Sequence, residues 1–512
     1  MPRAATAPGP ATAIRPEIIE GPGLGLFYNL DARHVPQRGW SAGRNIRFTQ
    51  DRVESTDGYS QFDGSPDGLP VRALWRYRAP AGGEELLRVT TNAAWKGTGA
   101  TRELISGALG KTIHHVVTQT QYRADYLWAD GGPIVRWPGT GGAQWIPVAL
   151  EGRLIEVHKD HVLLGGVKVG TVEQPWRVAW SVVGNPLDWT GEGSGDLDFL
   201  EDATPLTALK VMGDHAIVHK RDRLWRLIFV GPPDQYIPEG IPADDGACSA
   251  RSPITLGPFQ YYMGHRNFYR LGSFPEPIGD PIWPEVQRLI DWRQVHLVYA
   301  YTRDPYNEVC WKIPTAPPAP EGPNLTVAYN LRTQAWTVTD HDPGMCWTEW
   351  GAGPTSDAWD AGDAGTAQTM RDVPWDFNAI DQATTIDVFG QLSGVLQQYG
   401  GANADGKPIE ASVESPHLGN GVTPARVLNI PLIATGHGTL LVRVRAALDE
   451  RQPMPPWGRE AVYALDPPQH RPWIDTRVYG RLYQVRLETR DLNARFSLSS
   501  YGVAAVPGAG WR

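Results

Sequence analysis

The sequence predicts a mainly β fold, and three observations carry that reading. Of 512 residues, 56 are Gly and 45 are Pro; these cost about 1 and 3 kcal/mol inside a helix, so long helices and coiled coils are excluded. Apolar residues make up 41% of the chain and aromatics 10%, with 21 Trp, 18 Tyr and 11 Phe. That load buries a large core and excludes general disorder. Finally, short runs of alternating apolar and polar residues recur along the chain, each ended by Gly, Pro, Asp or Asn. A turn-rich protein of two to four domains follows.

Taken in order, the elements begin with residues 1–20, an Ala/Pro/Thr-rich stretch that reads as a flexible arm. Its first 16 residues lack the apolar core of a signal peptide. Residues 21–67 read as an N-terminal β segment. Strands are expected at Val71–Arg78, Leu86–Thr91, Tyr122–Trp128, Leu154–Leu164, Arg177–Val182, Ala216–His219 and Leu224–Val230. Further strands are expected at Phe259–Met263, Val309–Ile313, Thr326–Tyr329, Ala335–Thr339, Leu440–Arg445, Leu482–Thr489 and Ala494–Ser499. The best helix candidates, Glu103–Leu109 and Glu285–Arg293, are short. Residues 314–324 form a Pro-rich loop and residues 351–372 an acidic one, both long enough to project. From 408 to 512 the strands lengthen, as in a separate C-terminal β domain.

A looser repeat overlies this pattern. Aromatics in strand-like contexts recur at Trp128, Trp180, Trp225, Tyr269 and Trp311. Their spacing is close to the roughly 40–50 residues that four antiparallel strands occupy, the blade of a β-propeller. Residues 68–407 would then hold about six or seven irregular blades, with accessory N- and C-terminal β segments.

The formal net charge is −9, whereas a surface that grips nucleic acid usually carries a basic excess. The three cysteines Cys248, Cys310 and Cys346 are too few and too odd in number for a disulfide framework, which points to maturation in a reducing cytosol. No stretch approaches the ~18 apolar residues of a membrane helix.

Each motif with chemical potential has a plainer account. Gly39-Trp40-Ser41-Ala42-Gly43 matches a nucleophile elbow, but that elbow sits between an apolar strand and a helix; here strand-like Asn45–Phe48 follows, so it reads as a turn. His215 and His219 have the spacing of a helical zinc pair, yet Ala216 stands where the zincin Glu belongs, and the segment reads as two strands joined by a Lys-Arg-Asp turn. His114-His115, and His341 near Cys346, lack the paired ligands of a zinc site. The acidic stretch Asp188, Glu192, Asp196, Asp198, Glu201 and Asp202 has no calcium-loop pattern and reads as a solvated loop. Gly21–Gly25 and Gly165–Gly170 match neither phosphate-binding fingerprint. Trp350, Trp359 and Trp375 could stack on sugars or partners, though a Trp in a β protein is ordinarily core. No residue emerges with a catalytic, cofactor-binding or metal-binding role, and no cofactor is expected.

Three segments resemble one family. Arg38-Gly-Trp-Ser-Ala-Gly-Arg-Asn-Ile-Arg-Phe48, followed by Arg52-Val53 and Asp57-Gly-Tyr-Ser-Gln-Phe62, looks like the opening segment of tail proteins from short-tailed bacteriophages. Arg177-Val-Ala-Trp-Ser-Val-Val-Gly-Asn-Pro-Leu-Asp-Trp189 is similar to their mid-chain segment, and Leu224–Leu227 and Phe268–Gly272 resemble the aromatic strands that follow it. Tyr479–Arg486 with Asn493–Gly502 looks like their C-terminal strand pair. The family is that of tail nozzle, or tail-stabilisation, proteins, and the resemblance runs in order from about residue 24 to 505. Arg38 departs from a usual Gly and Ile46 from a usual Val.

The resemblance implies a structural virion protein: a homohexameric ring at the distal tail that closes the DNA exit channel and passes DNA during infection. It implies contacts with the head-to-tail adaptor protein, with tail fibres or spikes and with the host envelope. Double-stranded genome DNA would slide in the lumen without sequence-specific binding, which a net negative wall suits. Assembly would take place in the bacterial host cytoplasm, and the 314–324 and 351–372 loops would be candidate gates. Two alternatives stay open: a propeller scaffold that binds protein partners, and a polysaccharide-cleaving tail enzyme.

Overall fold

Frequent Gly and Pro keep most strands short, and the strands fall into two kinds of sheet. The computed structural model describes residues 16–106, 116–201, 204–316, 322–341, 344–352, 384–419, 421–449, 451–468 and 471–507. Seven antiparallel sheets of four strand positions each follow one another. Blade I is Val71–Arg78, Glu84–Thr90, Ala94–Lys96 and Glu103–Leu104; blade II is Thr118–Tyr122, Asp125–Ala129, Val135–Trp137 and Gln144–Trp145. Blade III is Leu154–His158, His161–Val169, Val172–Trp180 and Gly195–Asp198, with Leu150–Glu151 pairing the far end of its second strand. Blade IV is Leu206–Met212, His215–Lys220, Leu224–Gly231 and Gln235–Ile241. Blade V is Ile254–Leu256, Phe259–Met263, Phe268–Leu271 and Pro275–Pro277; blade VI is Tyr299–Arg303, Glu308–Ile313, Leu325–Asn330 and Trp336–Thr339. Blade VII takes Cys346–Ala352, Thr384–Gly390 and Leu396–Tyr399 from late in the chain and its outer strand, Tyr59–Asp63, from the N-terminal region.

The first strands of blades I to V pack side by side in order, as do those of VI, VII and I, and Arg251, just before blade V, bridges Tyr299 of blade VI. An apolar cluster fills each gap between blades. Ala73, Tyr77, Trp128 and Trp137 lie between I and II; Leu127, Ile155 and Leu164 between II and III; Leu163, Trp180 and Val218 between III and IV; and Ile217, Tyr262 and Leu271 between IV and V. Met263, Phe268 and Trp311 join V to VI, Tyr301, Cys310 and Phe389 join VI to VII, and Val71, Leu86, Cys346 and Val388 join VII to I. Seven blades with seven filled gaps make a ring, the arrangement of a β-propeller.

The second body is a pair of sheets built from both ends of the chain. Ile46–Phe48, Val53–Ser55, Arg495–Pro507, Ala425–His437 and Trp473–Gly480 form one sheet, with Glu17–Glu20 added on Arg495–Pro507. Ala42–Arg44, Ala411–Glu414, Leu482–Thr489, Thr439–Ala447 and Ala461–Ala464 form the other. The stretch 408–512 therefore shares its sheets with the N-terminal strands, and the 21–67 segment is divided, its first part here and its last strand in blade VII. Residues 16–20, expected as part of an arm, include a paired strand because Ile18 and Ile19 favour extended backbone; residues 1–15 lie outside the described residues.

Several expected elements shift. Leu154–Leu164 is a hairpin, because Lys159 and Asp160 take φ of 48° and 62° and close a two-residue turn. Tyr122–Trp128 likewise straddles a turn at Arg123, φ 55°. Glu103-Leu104 adds a fourth strand to blade I, since pairing with Trp95 and Lys96 overrides weak helix propensity. The expected Glu285–Arg293 helix is a helix over Trp283–Leu289 and a 3-10 turn over Trp292–Leu297.

The two bodies share one core, since the cluster around Trp311 and Trp336 continues through Ile46, Phe48, Val427 and Leu487. Polar groups pin the joint. Asn45, left-handed at φ 55°, gives its amide to Asp340 Oδ1 at 2.7 Å and accepts from the Asp340 N–H at 2.9 Å. The buried Arg47 pairs with Glu308 at 3.1 Å and Asp57 at 3.2 Å, under the Tyr306 ring.

Candidate functional site

A propeller's concave feature is the channel on its axis, and here one cavity takes residues from the first strands, or the turns leading into them, of all seven blades. Trp75 comes from blade I, Gln119 from II, Glu156 from III, Lys210 from IV, Arg251 from the turn before V, Tyr299 from VI and Trp347 from VII. The cavity has a volume of about 210 Å³. At Ala250 it meets a second cavity of about 390 Å³ at the end where these strands enter, lined by Asp130, Arg153, Thr207, Ser249 and His296.

Most polar groups on this axis have partners within the fold. Lys210 Nζ sits 2.7 Å from Glu156 Oε2. Gln119 donates to the Leu74 carbonyl and accepts from the Tyr126 hydroxyl, each at 2.6 Å. Thr118 donates to the Arg153 carbonyl at 2.8 Å, and the Trp347 indole to Asp387 at 2.8 Å. Burial pushes the Cys346 thiol up to about 12, against the pull of the Arg251 charge, so it stays protonated and unreactive at neutral pH. Arg251 differs: its guanidinium reaches a carbonyl, that of Arg72, only at 3.4 Å, and its Nε has no acceptor.

The described sequence candidates are spread over the molecule, and most are occupied by folding. Ser41 donates to the Glu414 and Ser415 carbonyls and accepts from Gln484, with no imidazole on it. His215 and His219 lie on one strand of blade IV, joined by a turn to the next strand, as the sequence suggests. His219 is buried, bonded to Gln260 at 2.7 Å and to the Ala247 N–H at 3.2 Å. Burial pulls its pKa down to about 4, partly opposed by the Gln260 bond. His341 bridges Asn45 and the Asp57 carbonyl rather than meeting Cys346, whose thiol donates to the Val71 carbonyl.

The acidic stretch does not converge either. Asp188 accepts the Thr190 and Gly191 amides, Asp196 and Asp198 face Arg177, and Glu201 faces Arg223. Gly21 accepts from Arg38, and Trp350 packs beside Val388 and Leu396. His114, His115, Asp202, Trp359 and Trp375 lie outside the described residues, as do 317–321 of the Pro-rich loop and 353–372 of the acidic loop. Among the described residues, no three His, Cys, Asp or Glu side chains gather as a metal would require.

The chain is a seven-bladed β-propeller fused to a β-sandwich. It matches no family model and no curated protein sequence. Two solved structures align with it over most of its length. PorZ, a surface component of the type-IX secretion system of Porphyromonas gingivalis, aligns over 73% of this chain at 8% identity and a TM-score of 0.36. That match takes in 44% of the PorZ chain, so this chain spans less than half of PorZ. BBS1N, solved in complex with ARL6DN, aligns over 67% of this chain and 97% of its own, at 10% identity and a TM-score of 0.41.

The axial residues escape sequence reading because each comes from a different blade. Glu156, Lys210 and Arg251 stand far apart in a chain with many other charges, and only the ring brings them together.

Proposed function

We propose that this protein is a non-enzymatic scaffold, a propeller and sandwich unit that works by binding other protein subunits in an assembly. The observation that carries the reading is the use of its polar groups. Ser41, Asp188, Asp196, Asp198, Glu201, His219 and His341 are all engaged in bonds that make the fold. Function then falls to surface. Support comes from the outer side of the sandwich, where Ile18, Ile433 and Trp473 are 51%, 59% and 36% exposed, the apolar and aromatic composition of protein contacts.

The second reading is the tail nozzle, favoured by the order of its three motif segments. The first and third, more than 400 residues apart in sequence, meet in one sheet: Val53 pairs with Leu498, and Trp40 stacks on Tyr501 at 5.0 Å. The resemblance thus lies in framework residues, which set architecture before function. In that reading the DNA conduit lies between subunits of the ring. A duplex whose major groove alone is about 12 Å wide does not fit an axial cavity of about 210 Å³.

Quantitative peptide mass spectrometry on phage particles from the source, scaled to the twelve-fold portal protein, separates the readings. About half the portal signal supports the nozzle. Absence from particles, with recovery in another stoichiometric protein complex, leaves the scaffold and removes the nozzle. Recovery as a solitary chain removes both.

A further inference from the structure

Three arginines are almost wholly buried, and each has a carboxylate: Arg47 has Glu308 and Asp57, Arg88 has Asp63 at 2.5 Å, and Arg303 has Glu308 at 3.9 Å. Arg251, on the propeller axis, has none among the described residues. Its neighbours are the Tyr299 ring, 5.2 Å from the guanidinium carbon, the distant Arg72 carbonyl, and the like charge of Arg72 itself. Burial, reinforced by Arg72, holds its pKa below the ordinary arginine value. Glu156, the carboxylate lining the same cavity, is taken by Lys210 at 2.7 Å. Arg251 is half-buried, with its Nε shut from water and without an acceptor; a cation so placed with no counter-charge is unfavourable, and a guanidinium with a free donor is shaped to receive an oxyanion.

We propose that the axial cavity is a binding site for a small oxyanion, a phosphate, sulfate or short carboxylate, held by Arg251 with Lys210 beside it. The size follows from the cavity. About 210 Å³ lies below the ~300 Å³ at which sites for drug-sized ligands begin, so a nucleotide is too large. The aromatic walls, Trp75 and Trp347, lower the local dielectric, which strengthens the pairing. The cavity at the strand-entry end supplies the way in. This site goes beyond the scaffold reading and does not depend on it.

The test titrates the full-length chain with phosphate, sulfate and malonate at constant ionic strength set by chloride, reading tryptophan fluorescence and thermal unfolding together. A saturable change with at least one anion is expected, weakened tenfold or more in Arg251→Met and less in Arg251→Lys. Comparing the three anions separates tetrahedral from carboxylate chemistry. In chloride buffer without phosphate, sulfate or malonate, Arg251→Met should melt no lower than the wild type, because it removes an unpaired charge. No saturable response to any of the three at tens of millimolar overturns the proposal. So does an Arg251→Met variant that binds like the wild type, or one that melts well below it in chloride buffer without the three anions.

Discussion

At the residue scale, buried charges decide which single changes matter. Asp63 holds Arg88 at 2.5 Å and Arg102 at 2.6 Å, tying the outer strand of blade VII to blade I. Asp63→Ala leaves Arg88 buried and unpaired, and urea unfolding should show a loss of about 3–5 kcal/mol, against less than ~1 kcal/mol for Asp31→Ala, whose Arg33 pair is exposed. His219 gives a pH dependence with a definite sign. Its pKa falls to about 4 when folded from about 6.5 unfolded, so its contribution is complete above pH 6.5 and lost as pH falls toward 4. The expected loss from this group is ~3 kcal/mol, and a His219→Gln variant should show a smaller drop in unfolding free energy between pH 7 and pH 4.5. Sequence alone gave no warning of these roles. His219 reads the same whether it binds metal or packs in a core, and the partners of Asp63 lie in other strands.

At the element scale, tight turns and crossings carry the design. The chain passes from sandwich to propeller at Gly58 and returns at Gly400 and Gly401, and the two crossings bond to each other at 2.8 and 2.9 Å. A Cβ at Gly58 would stand 1.9 Å from the Asn403 carbonyl oxygen, so Gly58→Val should lower the melting temperature by several degrees, read by calorimetry. Trp40→Ala removes a fully buried indole between the N- and C-terminal strands and should lose about 3–5 kcal/mol. Strands such as Val71–Arg78 were legible because alternation is local. Hairpins at Lys159-Asp160 and Arg123-Ala124 were not, since neither carries the Asn-Gly signature of such turns. The aromatic repeat was legible but uneven for a structural reason: Trp128 and Trp311 sit in second strands of their blades, whereas Trp180, Trp225 and Tyr269 sit in third strands.

At the scale of the molecule, both bodies depend on residues 17–63. Those residues supply strands to both sandwich sheets and the outer strand of blade VII. Sequence order hides this, because a composition shift near residue 408 marks where the sandwich resumes but not where it began. The axial cavity was invisible for the same reason, being a property of ring closure. We propose that this molecule acts as a protein-binding member of an assembly. Native mass spectrometry of the tagged full-length chain, recovered gently from its native source, tests this most directly. A complex of fixed stoichiometry with other protein subunits, far above 56.3 kDa, is expected; recovery of the chain alone at 56.3 kDa, with no stoichiometric protein partner, would rule the protein-binding role out.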